Sequence, residues 1–195
     1  MDWNIQEETA GETDLILHLK KMLDENKKLL IGIDGRCASG KTTLSLQIAK
    51  QLPARIFHMD DFYLPFEQRQ EDWQHIPCAN MNFTRLTDTV LVPAGRGETV
   101  HYQAYSCREK QLLPATDIAY EPLTIVEGSY SLYPSLQPFY DLTIFLTCDR
   151  KTQKERLLKR EGERYPNYER LWIPLEEAYY KKYSVREHAD MVIST

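Results

Sequence analysis

The segment Gly35-Arg36-Cys37-Ala38-Ser39-Gly40-Lys41-Thr42 constrains the fold of this chain more than any other. It follows an apolar run, Leu29-Leu30-Ile31-Gly32-Ile33, and precedes residues 43–49, where Leu44 and Ile48 recur at helical spacing with Leu52. The order is therefore strand, glycine loop, helix. Gly35 and Gly40 permit backbone angles and a close approach that a side chain forbids. Successive N–H groups then converge on an anion, aided by the positive end of the helix dipole. Gly35, Arg36, Cys37, Ala38, Ser39, Gly40, Lys41, Thr42 and Thr43 form the candidate nucleotide-binding loop. Lys41 is expected to reach the β and γ phosphates, and the Thr42 hydroxyl to join the shell of a magnesium ion. ATP and Mg2+ are the ligands this pattern implies.

At 195 residues, with 42% hydrophobic and 27% charged residues, the chain is the size of one ordinary α/β domain. We read residues 1–28 as an N-terminal helical extension of a single domain spanning 1–195. A formal net charge of −5 argues against a nucleic-acid partner, because neutralising phosphates requires a basic face. The opening residues Met1–Glu8 show no basic stretch followed by an apolar core, and no run approaches the length of a membrane span. A cytoplasmic location is expected, and a homo-oligomeric state stays open. Cys37, Cys78, Cys107 and Cys148 never form a C-x-x-C pair, so neither a zinc site nor a disulfide framework is suggested. Cys37 reads as a small residue that fits the loop, with a thiolate favoured by the helix N-terminus as the alternative.

Further apolar runs read as buried parallel strands: 55–59 ending at Asp60, 123–126 ending at Glu127, 142–146 and 191–193. Thr13 or Asp14 is positioned to cap an opening helix carrying Leu15, Leu19, Met22 and Leu23. Pro53 stops the helix after the loop, another helix covers about 151–160, and a last begins near Pro174. This alternation predicts a doubly wound, mainly parallel five-stranded sheet with helices on both faces. Residues 62–120 break the rhythm with Pro, Gly and Tyr. They read as an acceptor-binding insertion after the second strand, emerging at the carboxyl edge of the sheet where ligands bind.

A GTPase would need an N-K-x-D guanine reader after the loop, and Asn26-Lys27 precedes it without the aspartate. A small-molecule kinase needs a carboxylate for the acceptor hydroxyl, a carboxylate for magnesium and cations around the transferred group. Asp60 is the candidate base, with a magnesium role beside Thr42 and Glu127; a surface turn or helix cap is the alternative reading of Asp60. Arg156, Arg160 and Arg164, spaced by four, form a candidate lid over 150–170 if the helix persists past Gly162. These three arginines, Lys41 and Asp60 are the candidate catalytic residues.

On these residues the chain resembles the uridine kinase-like branch of P-loop NTPase-fold kinases, which includes phosphoribulokinase and bacterial pantothenate kinase. The resemblance rests on the glycine loop, on His58-Met59-Asp60-Asp61-Phe62-Tyr63-Leu64-Pro65, on Ile125-Val126-Glu127-Gly128-Ser129-Tyr130, on residues 140–146 and on the arginine lid. It implies that Asp60 is the general base and that Tyr63 lines the acceptor pocket; Asp61, a further candidate substrate residue, stands where nucleoside kinases commonly carry serine. Tyr102, Tyr105 and Arg108 match its nucleoside-contacting segment. The departures fall on recognition: Asn82-Phe83-Thr84 stands where uridine kinases carry Asn-Phe-Asp, and Gln103 and Cys107 replace an aspartate and a histidine. The acceptor expected is a small hydroxyl-bearing metabolite, a nucleoside first. Pantothenate, another vitamin precursor or a sugar phosphate is the alternative, with Arg85, Arg96 and Arg108 as candidate cations. A catalytically silent nucleotide-binding regulator is the alternative of another class.

Overall fold

A computed structural model describes residues 12–195 of the chain; Met1–Glu8, whose lack of a targeting pattern is noted above, lies outside them. Five parallel strands form the central sheet: β1 (Leu29–Gly35), β2 (Ala54–His58), β3 (Leu123–Glu127), β4 (Leu142–Thr147) and β5 (Met191–Ser194), in the order β2-β3-β1-β4-β5. Register pairs Ile31 with Ile125 on one side and with Leu142 on the other, so the central three strands bury both faces. This is the α/β fold of P-loop NTPases, with every strand pair of the central sheet parallel and two short antiparallel pairs inside the insertion.

The period of two in β1 divides the core. Leu29, Ile31 and Ile33 pack with Leu15, Leu19, Leu44 and Ile48 of α1 (Glu12–Asn26) and α2 (Lys41–Gln51). Leu30 faces the opposite layer, where Phe57, Val126 and Phe145 meet Leu86, Val90 and Leu91 of a continuous helical segment, α3 (83–96). The insertion therefore supplies part of the sheet's second covering layer, shared with Leu132, Leu136, Tyr179 and Tyr180. Gly32 is required there because a Cβ would come within 2.6 Å of Leu132 and 2.9 Å of Tyr140.

Helix boundaries differ from the expectations at the first and the last long helix, while the helix expected over about 151–160 is present. α1 is already helical at Glu12, so Thr13 and Asp14 are residues of the helix rather than the N-cap that precedes it. α4 (Arg150–Glu161) is capped by Asp149, whose side chain accepts from the N–H groups of Lys151 and Thr152. The last long helix, α5 (165–183), starts well before Pro174, with Pro166 in its first turn. It continues through Pro174 because the turn Tyr168–Trp172 widens to i→i+5 spacing, with Ile173 N–H bonding Tyr168 O. A proline ring clashes with the carbonyl four residues back, and the wider turn relieves this. α3 repeats the device: Val92 N–H bonds Thr87 O just ahead of Pro93.

Candidate active site

The glycine loop joins β1 to α2 and is held by its neighbours. Gly35 has φ +135°, and a Cβ there would lie 1.9 Å from Leu146 O. Gly40 (φ +97°) is the residue before α2, and Ala38 also takes a positive φ of 62°. Lys41 is buried, its ammonium donating to Gly35 O (2.6 Å) and Arg36 O (3.0 Å), so the cation lies across the loop. The Arg36 side chain turns away to Glu177 (Nε–Oε1 2.7 Å) and to Cys148 O (3.2 Å), and its backbone N–H donates to Leu146 O (3.1 Å), so Arg36 braces the loop against its neighbours. Cys37 N–H donates to Glu176 Oε2 (2.9 Å). Burial, followed by the Glu176 charge, pushes the Cys37 thiol well above its usual range, so the thiolate alternative does not hold.

The carboxylates converge from two strand ends. β2 stops at His58, one residue earlier than expected, and Asp60 sits in the 3-10 turn Met59–Phe62 that follows. Tyr63 O–H donates to Asp60 Oδ1 (3.1 Å). Asp60 opens onto cavity solvent yet has protein packed around it, and this desolvation raises its pKa. Tyr63 and Lys41 oppose the shift, while Glu127 and Asp61 add to it. Glu127, buried at the end of β3, accepts from Thr42 Oγ1 (3.0 Å) and pairs with His58 Nδ1 (2.6 Å), which raises the imidazole pKa. Asp61 accepts from the Tyr102 hydroxyl, and its carbonyl accepts from Arg85 Nη2 (2.8 Å).

A cavity of about 1060 Å³ joins Lys41, Thr42, Asp60, Glu127, Arg156 and Arg160. Asp61 and Tyr63 line it as well. Arg156 spans from Ala38 O (3.2 Å) to Thr195 Oγ1 (2.8 Å), while Arg160 pairs with Glu161 (2.8 Å) beside the Tyr168 ring. Tyr168 and Trp172 complete the wall on that side.

Other expected site residues lie elsewhere. α4 ends at Glu161 and Gly162 turns the chain (φ +55°), so Arg164 leaves the arginine row and pairs with Glu161 (3.0 Å) at the surface. Tyr102 packs on Phe57 and Phe62 behind Asp61 rather than lining the cavity. Tyr105 is buried within the insertion, and Arg108 is exposed in the turn between Tyr105–Ser106 and Gln111–Leu112. The short hairpin packs Tyr105 inward because alternate residues of a strand face opposite sides. Asn82 caps α3 through Arg85 N–H (3.0 Å), and Gln103 bonds Leu113 O (2.9 Å).

Sequence reasoning missed Asp34. It is fully buried and accepts from the N–H groups of Gly35 (2.6 Å), Tyr130 (3.3 Å) and Leu132 (2.9 Å) and from Tyr179 O–H (2.9 Å). Burial raises its pKa to about 6, against those donors and Lys41. The available signal was one carboxylate inside an otherwise apolar strand. It assigned no role to His58, read only as part of the Asp60 motif, or to Glu176, since nothing in their local sequence marks Glu127 and Cys37, which they meet in space.

Among the described residues no group of three or more His, Cys, Asp or Glu side chains is arranged to hold a metal by itself, and no helix is long and apolar enough to cross a membrane. The donors at the loop still fit magnesium. Thr42 and Glu127 present adjacent oxygens, and that ion characteristically takes few protein ligands and completes its shell with water and phosphate.

No family model matches the chain. It is 28% identical over 183 residues to uridine-cytidine kinase B of Dictyostelium discoideum, covering 84% of this chain and 73% of that protein. It is 27% identical over 187 residues to a uridine kinase of Staphylococcus epidermidis, covering 86% and 88%. A solved structure described as a possible uridine kinase from Bacillus stearothermophilus superposes with a TM-score of 0.68 at 21% identity, covering 93% of this chain and 98% of that one. The chain is thus similar in sequence to uridine kinases and has a P-loop kinase fold.

Proposed function

We propose that this chain is an ATP-dependent, magnesium-requiring kinase that transfers the γ-phosphoryl group to a hydroxyl of a small metabolite, with a nucleoside as the first candidate acceptor. One observation carries the reading: Lys41 and Thr42 of the loop face Asp60 and Glu127 across a single cavity, with Thr42 and Glu127 in direct contact. The nucleoside class is supported by the names of the two curated relatives.

The roles follow from the chemistry. With Tyr63 on one oxygen, Asp60 has the other free to take the acceptor proton as that hydroxyl attacks the γ-phosphorus and the bond to ADP breaks. Its raised pKa makes it a better base than an ordinary aspartate. Lys41 leaves its two loop carbonyls to bind phosphate oxygens, a charge-assisted exchange. Thr42 and Glu127 would hold magnesium, which when bound neutralises phosphate charge. Arg156 and Arg160 cover the loop and oppose charge on the transferred group. Asp61 and Tyr63 face the acceptor, with Tyr102 holding Asp61 from behind.

The test is ADP release from magnesium ATP over a panel of nucleosides, sugars, pantothenate and sugar phosphates, with Asp60→Asn beside the wild type. A rate that depends on one acceptor and falls by roughly 10²–10⁴-fold in the variant, while ATP still binds, is the expected result. Tight ATP binding with no acceptor raising ADP release would refute it and favour the silent regulator.

A further inference from the structure

Between the loop and the Asp60 turn, the cavity wall is formed by Ser129, Tyr130 and Glu176. Tyr130 is an outlier twice over. It holds φ +77°, a backbone region that bulky side chains avoid, and it is 3% exposed with a hydroxyl that has no hydrogen-bond partner. Neither feature is slack. Asp34 accepts the N–H groups of Tyr130 (3.3 Å) and Leu132 (2.9 Å), and the ring stands edge-on to Tyr179 at 5.0 Å. The fold thus imposes a strained turn and leaves a buried donor unmatched beside the acceptor region, a combination typical of ligand sites. Burial first, and then the negative charge of Glu176, raises the pKa of this phenol, so it is a donor at neutral pH.

Glu176 is 5% exposed and meets only neutral donors, Cys37 N–H (2.9 Å) and Ser129 O–H (2.6 Å). No Lys, Arg or His among the described residues pairs with it. The cavity's cations Lys41, Arg156 and Arg160 belong to the loop and lid, and His58 is paired with Glu127. The arginines considered for an anionic acceptor are elsewhere: Arg85 is spent on the carbonyls of Asp61 and Gln103, and Arg96 and Arg108 are exposed outside the cavity. The wall therefore carries the carboxylates Asp60, Asp61 and Glu176, with no cation of its own.

We infer that Tyr130 and Glu176 select the acceptor: the phenol donates to, and the carboxylate accepts from, a second hydroxyl of an uncharged polyol, and Glu176 repels acceptors bearing a phosphate or carboxylate. This rests on the kinase reading above and assigns the specificity of that same site. A hydroxyl is the group that both donates and accepts at one atom, which is what a donor beside an acceptor requires. A site built on such bonds discriminates strongly, because a ligand lacking the group leaves buried partners unpaired.

The experiment measures kcat/KM for uridine, cytidine and ribose against ribose 5-phosphate, glycerate and pantothenate, in wild type, Tyr130→Phe and Glu176→Gln. ATP KM and thermal unfolding are recorded for each. Tyr130→Phe removes one unpartnered oxygen, so it folds as the wild type does. It should lose roughly 10- to 100-fold in kcat/KM for the preferred uncharged acceptor with ATP KM unchanged. Glu176→Gln should narrow the preference for ribose over ribose 5-phosphate by about tenfold. Wild-type preference for an anionic acceptor, or an unaltered kcat/KM in Tyr130→Phe, overturns the inference while the kinase reading stands. A panel silent throughout, with magnesium ATP still bound, overturns the kinase reading and this inference with it.

Discussion

Asp34 gives the sharpest test of the electrostatics, because its burial and its four donors act in opposite directions. Burial wins, lifting the carboxyl from 3.8 to about 6. The folded state then holds this proton more tightly than the unfolded chain does. Its contribution is fully present below about pH 3.8 and is lost as pH rises through about 6. The shift corresponds to about 3 kcal/mol of stability lost across that window. Asp34→Asn fixes the neutral form. It also places an amide NH₂ against Leu132 N–H or Tyr179 O–H, a pH-independent cost of about 1–3 kcal/mol. The informative quantity is therefore the variant's unfolding free energy minus that of the wild type, followed by urea denaturation from about pH 4 to about pH 7, where other titrations cancel. This difference should move in favour of Asp34→Asn by about 2–2.5 kcal/mol between about pH 4 and about pH 7, whatever its starting value. A flat difference would mean that the donors and Lys41 offset the burial. A difference moving against the variant would mean that they exceed it, and either refutes the reasoning.

Gly35→Ala forces a Cβ to within 1.9 Å of Leu146 O and breaks the Arg36 N–H bond to that carbonyl (3.1 Å). We predict destabilisation of about 3 kcal/mol or more by thermal unfolding, with ATP binding lost in whatever fraction stays folded. Two of the three arginines proposed for the lid, Arg156 and Arg164, should separate cleanly. Arg156→Ala, which removes the bridge from Ala38 O to Thr195, should raise KM for ATP several-fold, whereas Arg164→Ala, on the outer surface, should leave the steady-state constants within about twofold.

The sequence by itself determined the frame of this protein. Local patterns carried it: an apolar run before Gly35, helical spacing after Lys41, and carboxylates placed directly after apolar runs at Asp60 and Glu127. These signals are short-range, since strand, loop and helix conformations are decided by neighbours within a turn or two. The parallel sheet and the meeting of Lys41, Thr42, Asp60 and Glu127 followed from that frame, because strand ends of a parallel sheet share one edge. Only the tertiary structure decided the rest. Arg164 left its row because Gly162 ends α4, a question of backbone angle that spacing alone leaves open. Tyr105 went into the insertion's core and Tyr102 behind Asp61, although both match the segment that contacts the nucleoside in the family this chain resembles. Conversely, Glu176 and Glu177 read as ordinary helix charges, yet they meet Cys37 and Arg36 across separations of 139 and 141 residues. Such contacts arise when α5 docks beside the loop, and burial then removes the solvent that would otherwise screen their charges.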